Sequence, residues 1–157
     1  MQLAEFCQSF SAHNIACIGL GNMDRGDDGA GIALAQRLQS IYPDRIFSES
    51  EKPVESLILS LMEENRWQAV LFFDAARFEG IEDIHFFASD ALQLFQPAYT
   101  THRPPFSLLV QLLKEKGIQC AVLGLRPKST AFLEPITPEM NALIMELETF
   151  IKIYLPN

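Results

Sequence analysis

The stretch Ile15-Ala-Cys-Ile-Gly-Leu20, followed at once by Gly21-Asn-Met-Asp-Arg-Gly-Asp-Asp-Gly-Ala-Gly31, decides how this chain of 157 residues is read. Residues 15–20 are apolar on both faces, as in a strand from the middle of a parallel sheet. A glycine-containing loop comes next, and then an apolar stripe at Ile32, Leu34, Ala35 and Leu38 that predicts a helix over residues 29–40. Strand, loop and helix form the repeating unit of an α/β protein, so the rest of the chain is read for more of them.

Working outward, residues 3–10 fit a short amphipathic helix before the first strand, and Pro43 closes the first unit. Residues 45–48 read as a short strand, and Pro53 suits the first turn of a helix carrying Val54, Leu57, Ile58 and Leu61. The apolar run 69–73 is the next buried strand, with Asp74 at its end. Residues 81–87 follow after a loop too short for a helical crossover, which predicts an antiparallel neighbour. Residues 88–103, with Pro97 among them, form an irregular stretch of a length that often carries function. Pro104 or Pro105 then opens a helix with Leu108, Leu109, Leu112 and Leu113 directed inward, ended by Gly117. Residues 119–125 form the last buried strand, and Thr137 with Pro138 caps and starts a helix to Tyr154. Right-handed crossovers turn this order into a three-layer α/β/α sandwich, its five-stranded sheet mostly parallel with one antiparallel strand. The length suits a single domain over residues 1–157.

Twenty acidic residues against 12 basic ones leave a net charge of −8, which disfavours nucleic acid or an anionic membrane as partner. No window holds about 18 consecutive apolar residues, and the N-terminus lacks a basic start followed by an apolar run, so a cytoplasmic protein is expected. Cys7, Cys17 and Cys120 lack CxxC spacing, and two of them sit in apolar runs; buried free thiols are the expectation.

Ligands of parallel sheets collect at the carboxyl ends of the strands, where Asp28, Asp74 and the segment around His102 all point. Two carboxylates and one imidazole suit a borderline divalent ion such as Ni²⁺ or Zn²⁺ and leave positions open for another group. Each residue also has a plainer role. Asp27 fits a helix N-cap, and either aspartate favours the helix dipole. Asp74 fits a turn former or a partner for Arg77, and His102 fits an exposed loop histidine, as His13 and His85 do. The acidic stretch Glu49-Ser-Glu-Lys52 reads as a solvated loop at the same sheet edge. Nucleotide binding is disfavoured, because the glycine spacing is wrong and Asp27-Asp28 would repel a pyrophosphate at the helix start.

Four ordered segments resemble the [NiFe]-hydrogenase maturation endopeptidases along nearly the whole chain. They are Gly21-Asn22 with Gly26-Asp27-Asp28-Gly29 and Gly31; the strand ending Asp74-Ala75; Thr100-Thr101-His102; and Leu123-Gly124-Leu125-Arg126-Pro127. The resemblance implies a monomeric endopeptidase that removes the C-terminal extension of a hydrogenase large-subunit precursor after nickel insertion. It also implies that Asp28, Asp74 and His102 are the catalytic, metal-binding residues, that the precursor brings the nickel, and that no organic cofactor takes part. The chain departs from the pattern at Ser48-Glu49-Ser50, where many relatives carry Asp-Gly-Gly, so the backbone there must avoid conformations that only glycine takes easily. Two other readings stay open: a nickel-dependent docking protein without turnover, and a small-substrate metallohydrolase of the same fold.

Overall fold

The computed structural model describes residues 2–98 and 105–156. Its strands are β1 (Ile15–Gly19), β2 (Ile46–Ser48), β3 (Ala69–Arg77), β4 (Ile84–Phe87), β5 (Gln96–Pro97) and β6 (Gln119–Leu125). Its helices are α1 (Leu3–Gln8), α2 (Ala30–Gln39), α3 (Val54–Glu63), α4 (Phe106–Glu115) and α5 (Pro138–Tyr154). The sheet runs β2-β1-β3-β6-β4, parallel except for β4, and the two-residue β5 adds a short sixth strand antiparallel to the end of β3.

β1 lies between β2 and β3, so the chain leaves it in one direction and returns past it in the other. Right-handed crossovers of opposite direction place their helices on opposite faces, and two separate cores result. On one face, α1, α2 and α5 cover Ile15, Cys17, Leu71, Phe73 and Leu123. On the other, α3 and α4 cover Ala16, Ile18, Val70, Phe72 and Val122. Between the carboxyl ends of β1 and β3 lies the switch point at which ligands of such sheets bind.

Local signals account for most boundaries. Thr137 caps α5, its Oγ1 accepting from Met140 N at 3.2 Å, with Pro138 at the first helical position. The expected antiparallel strand is β4, which pairs with β6 from Ile84↔Leu125 to Phe87↔Val122. Two expectations need correction. β3 does not end at Phe73: Asp74 and Ala75 pair with Gly124 and Leu125, and Ala76 and Arg77 pair with β5. On α4 only Leu109 and Leu113 are buried, whereas Leu108 is 48% exposed, because the inward stripe is narrower than the run of leucines.

The three cysteines are free and buried. Burial pushes the Cys7 thiol up to about 11 and that of Cys120 up to about 12, and Cys17, raised mainly by burial and further by Cys7, higher still. Among the described residues no helix is long and apolar enough to cross a membrane.

α2 begins against Phe73 in the middle of β3 and against Leu20, just after β1. A Cβ at Gly31 would overlap the carbonyl oxygens of Phe73 and Leu20, and the latter two residues are themselves joined by Leu20 N–H donating to Phe73 O at 2.8 Å. Backbone cannot move aside as a side-chain tip does, so Gly31→Ala is expected to destabilise the protein by about 3 kcal/mol. Urea unfolding checks this: the midpoint falls with an unchanged slope, and a wild-type midpoint would contradict the close approach.

Candidate active site

The loop after β1 returns on itself. Gly21, at φ 137°, lies against the carbonyl of Asp28, and Asn22 N–H donates to that same oxygen at 3.3 Å. Asp28 N–H in turn donates to Arg25 O at 3.0 Å, within the short 3-10 turn Gly26–Gly29 that leads into α2. These bonds hold Asp28 beside Gly21, which directly follows Leu20, while Leu20 is bonded to Phe73, the residue before Asp74. The structure therefore brings the Asp28 loop and the Asp74 strand together at the switch point. Both aspartates are buried, Asp28 at 2% exposure and Asp74 at 6%. Strand alternation puts Asp74 on the face with Phe72 and Ala76, beneath α3 and α4.

His102, with Thr100 and Thr101, lies outside the described residues. The chain on either side is described: Ala98 N–H donates to Ala75 O at 3.0 Å, one residue from Asp74, and α4 begins at Phe106 on the face that carries Asp74. Among the described residues, no three His, Cys, Asp or Glu side chains are grouped to hold a metal ion. A metal set built here on Asp28 and Asp74 thus requires a donor from beyond them.

Asp27 does not cap a helix. It is fully buried, and its carboxylate accepts from Lys128 N at 2.8 Å, from Thr137 N at 2.8 Å and from Thr137 Oγ1 at 2.9 and 3.1 Å. Its own N–H donates to Ser129 O at 2.8 Å. The adjacent aspartates have therefore divided their work. Asp27 ties the glycine loop to residues 128–137, and Asp28 remains at the crevice.

Sequence reasoning missed two further residues at this edge. Glu49, read as part of a solvated loop, accepts from Gly21 N through Oε1 at 3.1 Å, while its own N–H donates to Gly19 O at 3.0 Å. The signal was its place directly after a strand that neighbours β1. Ser48 and Ser50 shape the same turn without glycine, Ser50 N donating to Ser48 Oγ at 3.0 Å. Arg126 follows β6 and grips the loop between β3 and β4, donating to Glu82 O at 2.7 Å, Gly80 O at 3.0 Å and Phe78 O at 3.1 Å, with its guanidinium 4.2 Å from the Phe78 ring centroid.

Removing the Asp27 carboxylate would leave two backbone donors without their acceptor. Asp27→Ala is expected to destabilise by about 3 kcal/mol, and to accelerate amide exchange at Lys128 and Thr137. Unchanged exchange at both amides would contradict the role assigned to Asp27.

No protein-family model matches the chain. Its structure is similar to the crystal structure of a [NiFe] hydrogenase maturation protease, HycI, from Thermococcus kodakarensis KOD1. That match has a TM-score of 0.77 and 28% identity, covering 98% of this chain and 99% of the other. The solution structure of the endopeptidase HycI from Escherichia coli shares the fold, with a TM-score of 0.69, 22% identity and 92% of each chain covered. A Methanocaldococcus jannaschii protein, provisionally named a hydrogenase maturation protease, is 22% identical over 137 residues, 81% of this chain and 79% of its own length. Fold, order of motifs and coverage together make this chain a structural relative of the [NiFe] hydrogenase maturation proteases.

Proposed function

We infer that this peptidase removes the C-terminal extension of a [NiFe] hydrogenase large-subunit precursor once nickel is in place. The observation that carries the reading is the placement of two buried aspartates, Asp28 on the loop after β1 and Asp74 on β3, on segments that meet at the β1/β3 switch point, where each backbone is fixed by hydrogen bonds. Two carboxylates favour a nearby cation, and a precursor carrying a divalent ion delivers one. Asp28, Asp74 and His102 then bind the precursor's nickel, and this holds the scissile peptide beside the site so that proximity supplies much of the rate. A divalent ion there polarises a carbonyl or lowers the pKa of an attacking water. The protein works as a monomer in the cytoplasm; three free buried thiols accord with a reducing compartment.

The variants Asp28→Asn, Asp74→Asn and His102→Ala test the assignment. Each is expected to slow tail release from a nickel-loaded precursor by about a hundredfold or more, with the unfolding midpoint close to that of wild type. Full processing by all three would exclude these side chains from the reaction. Elemental analysis separates the metallohydrolase reading: the isolated protein is expected to hold no stoichiometric metal. Nickel-dependent binding of a precursor whose mass never changes would favour a docking protein without turnover.

A further inference from the structure

Beside the Asp28 loop stands a second loop, residues 128–137, and the two are sewn together along their length. Leu133 N–H donates to Asp24 O at 2.6 Å, Gly26 N–H to Glu134 O at 2.9 Å and Asp27 N–H to Ser129 O at 2.8 Å. The Asp27 carboxylate takes a backbone N–H at each end of the second loop, from Lys128 and from Thr137. Lys128 Nζ lies 2.7 Å from Asp83, in the loop that Arg126 grips, so this side of the rim is braced as well.

What this bracing displays is apolar. Phe132 is 63% exposed and Leu133 72%, and across the backbone bond to Asp24 stands Met23, 44% exposed. Leu133 has φ 65°, a left-handed conformation that costs a side-chain-bearing residue about 1–2 kcal/mol. Although the Arg25 guanidinium lies over the Phe132 ring, 5.6 Å from its centroid, three large exposed apolar side chains, one of them on strained backbone, are unfavourable for the isolated chain. Backbone strain of this kind clusters at ligand clamps, and contiguous exposed apolar groups mark interaction sites.

We propose that Met23, Phe132 and Leu133 form a rigid docking surface for the folded body of the precursor, beside the crevice that takes its tail. The inference rests on the peptidase reading for the identity of the partner. Position argues for the occupant. The surface spans the Asp28 loop, through Met23, and the loop bonded to it, through Phe132 and Leu133, so it meets what the tail is attached to. A second copy of this chain seated there would cover the site. Charge defines the partner's chemistry: the exposed Asp24 and Glu134 flank the apolar tip of a chain of net charge −8. The matching face is therefore apolar with a basic rim. Other exposed apolar residues, such as Leu59, Met145 and Ile153, are scattered along the outer faces of α3 and α5.

The test compares wild type, the double variant Phe132→Ser/Leu133→Asn, and Asp28→Asn, using a nickel-loaded large-subunit precursor as the probe. Binding is read by titration and tail release by mass. Asn tolerates the left-handed conformation at 133, so the double variant relieves strain instead of adding it. The double variant is expected to bind about tenfold more weakly, with a raised KM and kcat within about twofold of wild type. Asp28→Asn binds the precursor and fails to release the tail. Wild-type binding without cleavage, lost in the double variant, would sink the peptidase reading and uphold the docking surface. A double variant that binds and processes like wild type, or whose defect falls on kcat alone, overturns the proposal. So does wild-type sedimentation as a dimer that the double variant converts to monomer, since the surface then serves a second copy.

Discussion

The site depends on how closely α2 approaches the carbonyl groups of Leu20, just after β1, and Phe73 in β3. Because residue 31 has no side chain, the helix begins directly on Phe73 O and Leu20 O. That contact brings the turn containing Asp28 against β3 at Phe73, the residue before Asp74. With a larger residue the helix would stand off, and the two carboxylates would belong to separate parts of the surface. Interiors pack without slack, so the missing side chain at residue 31 sets how closely α2 approaches the two strands.

Around that contact, backbone bonds replace the flexibility usual in loops. Gly21 and Asn22 close on the Asp28 carbonyl, Glu49 accepts from Gly21, and Asp27 joins the glycine loop to residues 128–137. Burying Asp27 with no ion-pair partner among the described residues is unfavourable by itself. Hydrogen bonds from two backbone amides and one hydroxyl offset the loss of water. Two neighbouring aspartates thus take different places: Asp27 stiffens the rim, and Asp28 lies at the switch point where the proposed reaction is placed. A rim made rigid in this way would hold the proposed reacting groups in place before substrate arrives.

Much of the fold was legible in the sequence because its signals are local. The buried runs at 15–19 and 119–125, the Thr137-Pro138 helix start and the antiparallel strand near 84–87 all follow from neighbouring residues. Contacts between distant parts of the chain were not legible. Asp-Ala-Ala-Arg at 74–77 looks like a turn until β5 pairs with its end. Asp27 looks like a cap until Lys128 and Thr137, about a hundred residues away, supply its partners. For the site, the placement of Asp28 and Asp74 at one edge was readable from strand ends and loop composition. The bracing by Glu49 and Arg126 was not, since an acidic loop residue and an arginine after a strand have no distinguishing local pattern.

The central claim is that Asp28 and Asp74 act on a metal ion presented by a protein substrate. It is tested most directly by intact-mass measurement of a large-subunit precursor incubated with this protein, nickel-loaded in one sample and nickel-free in the other. The account predicts that only the nickel-loaded precursor loses the mass of its C-terminal extension. A nickel-loaded precursor left whole by the folded protein, or equal cleavage of both forms, would contradict it.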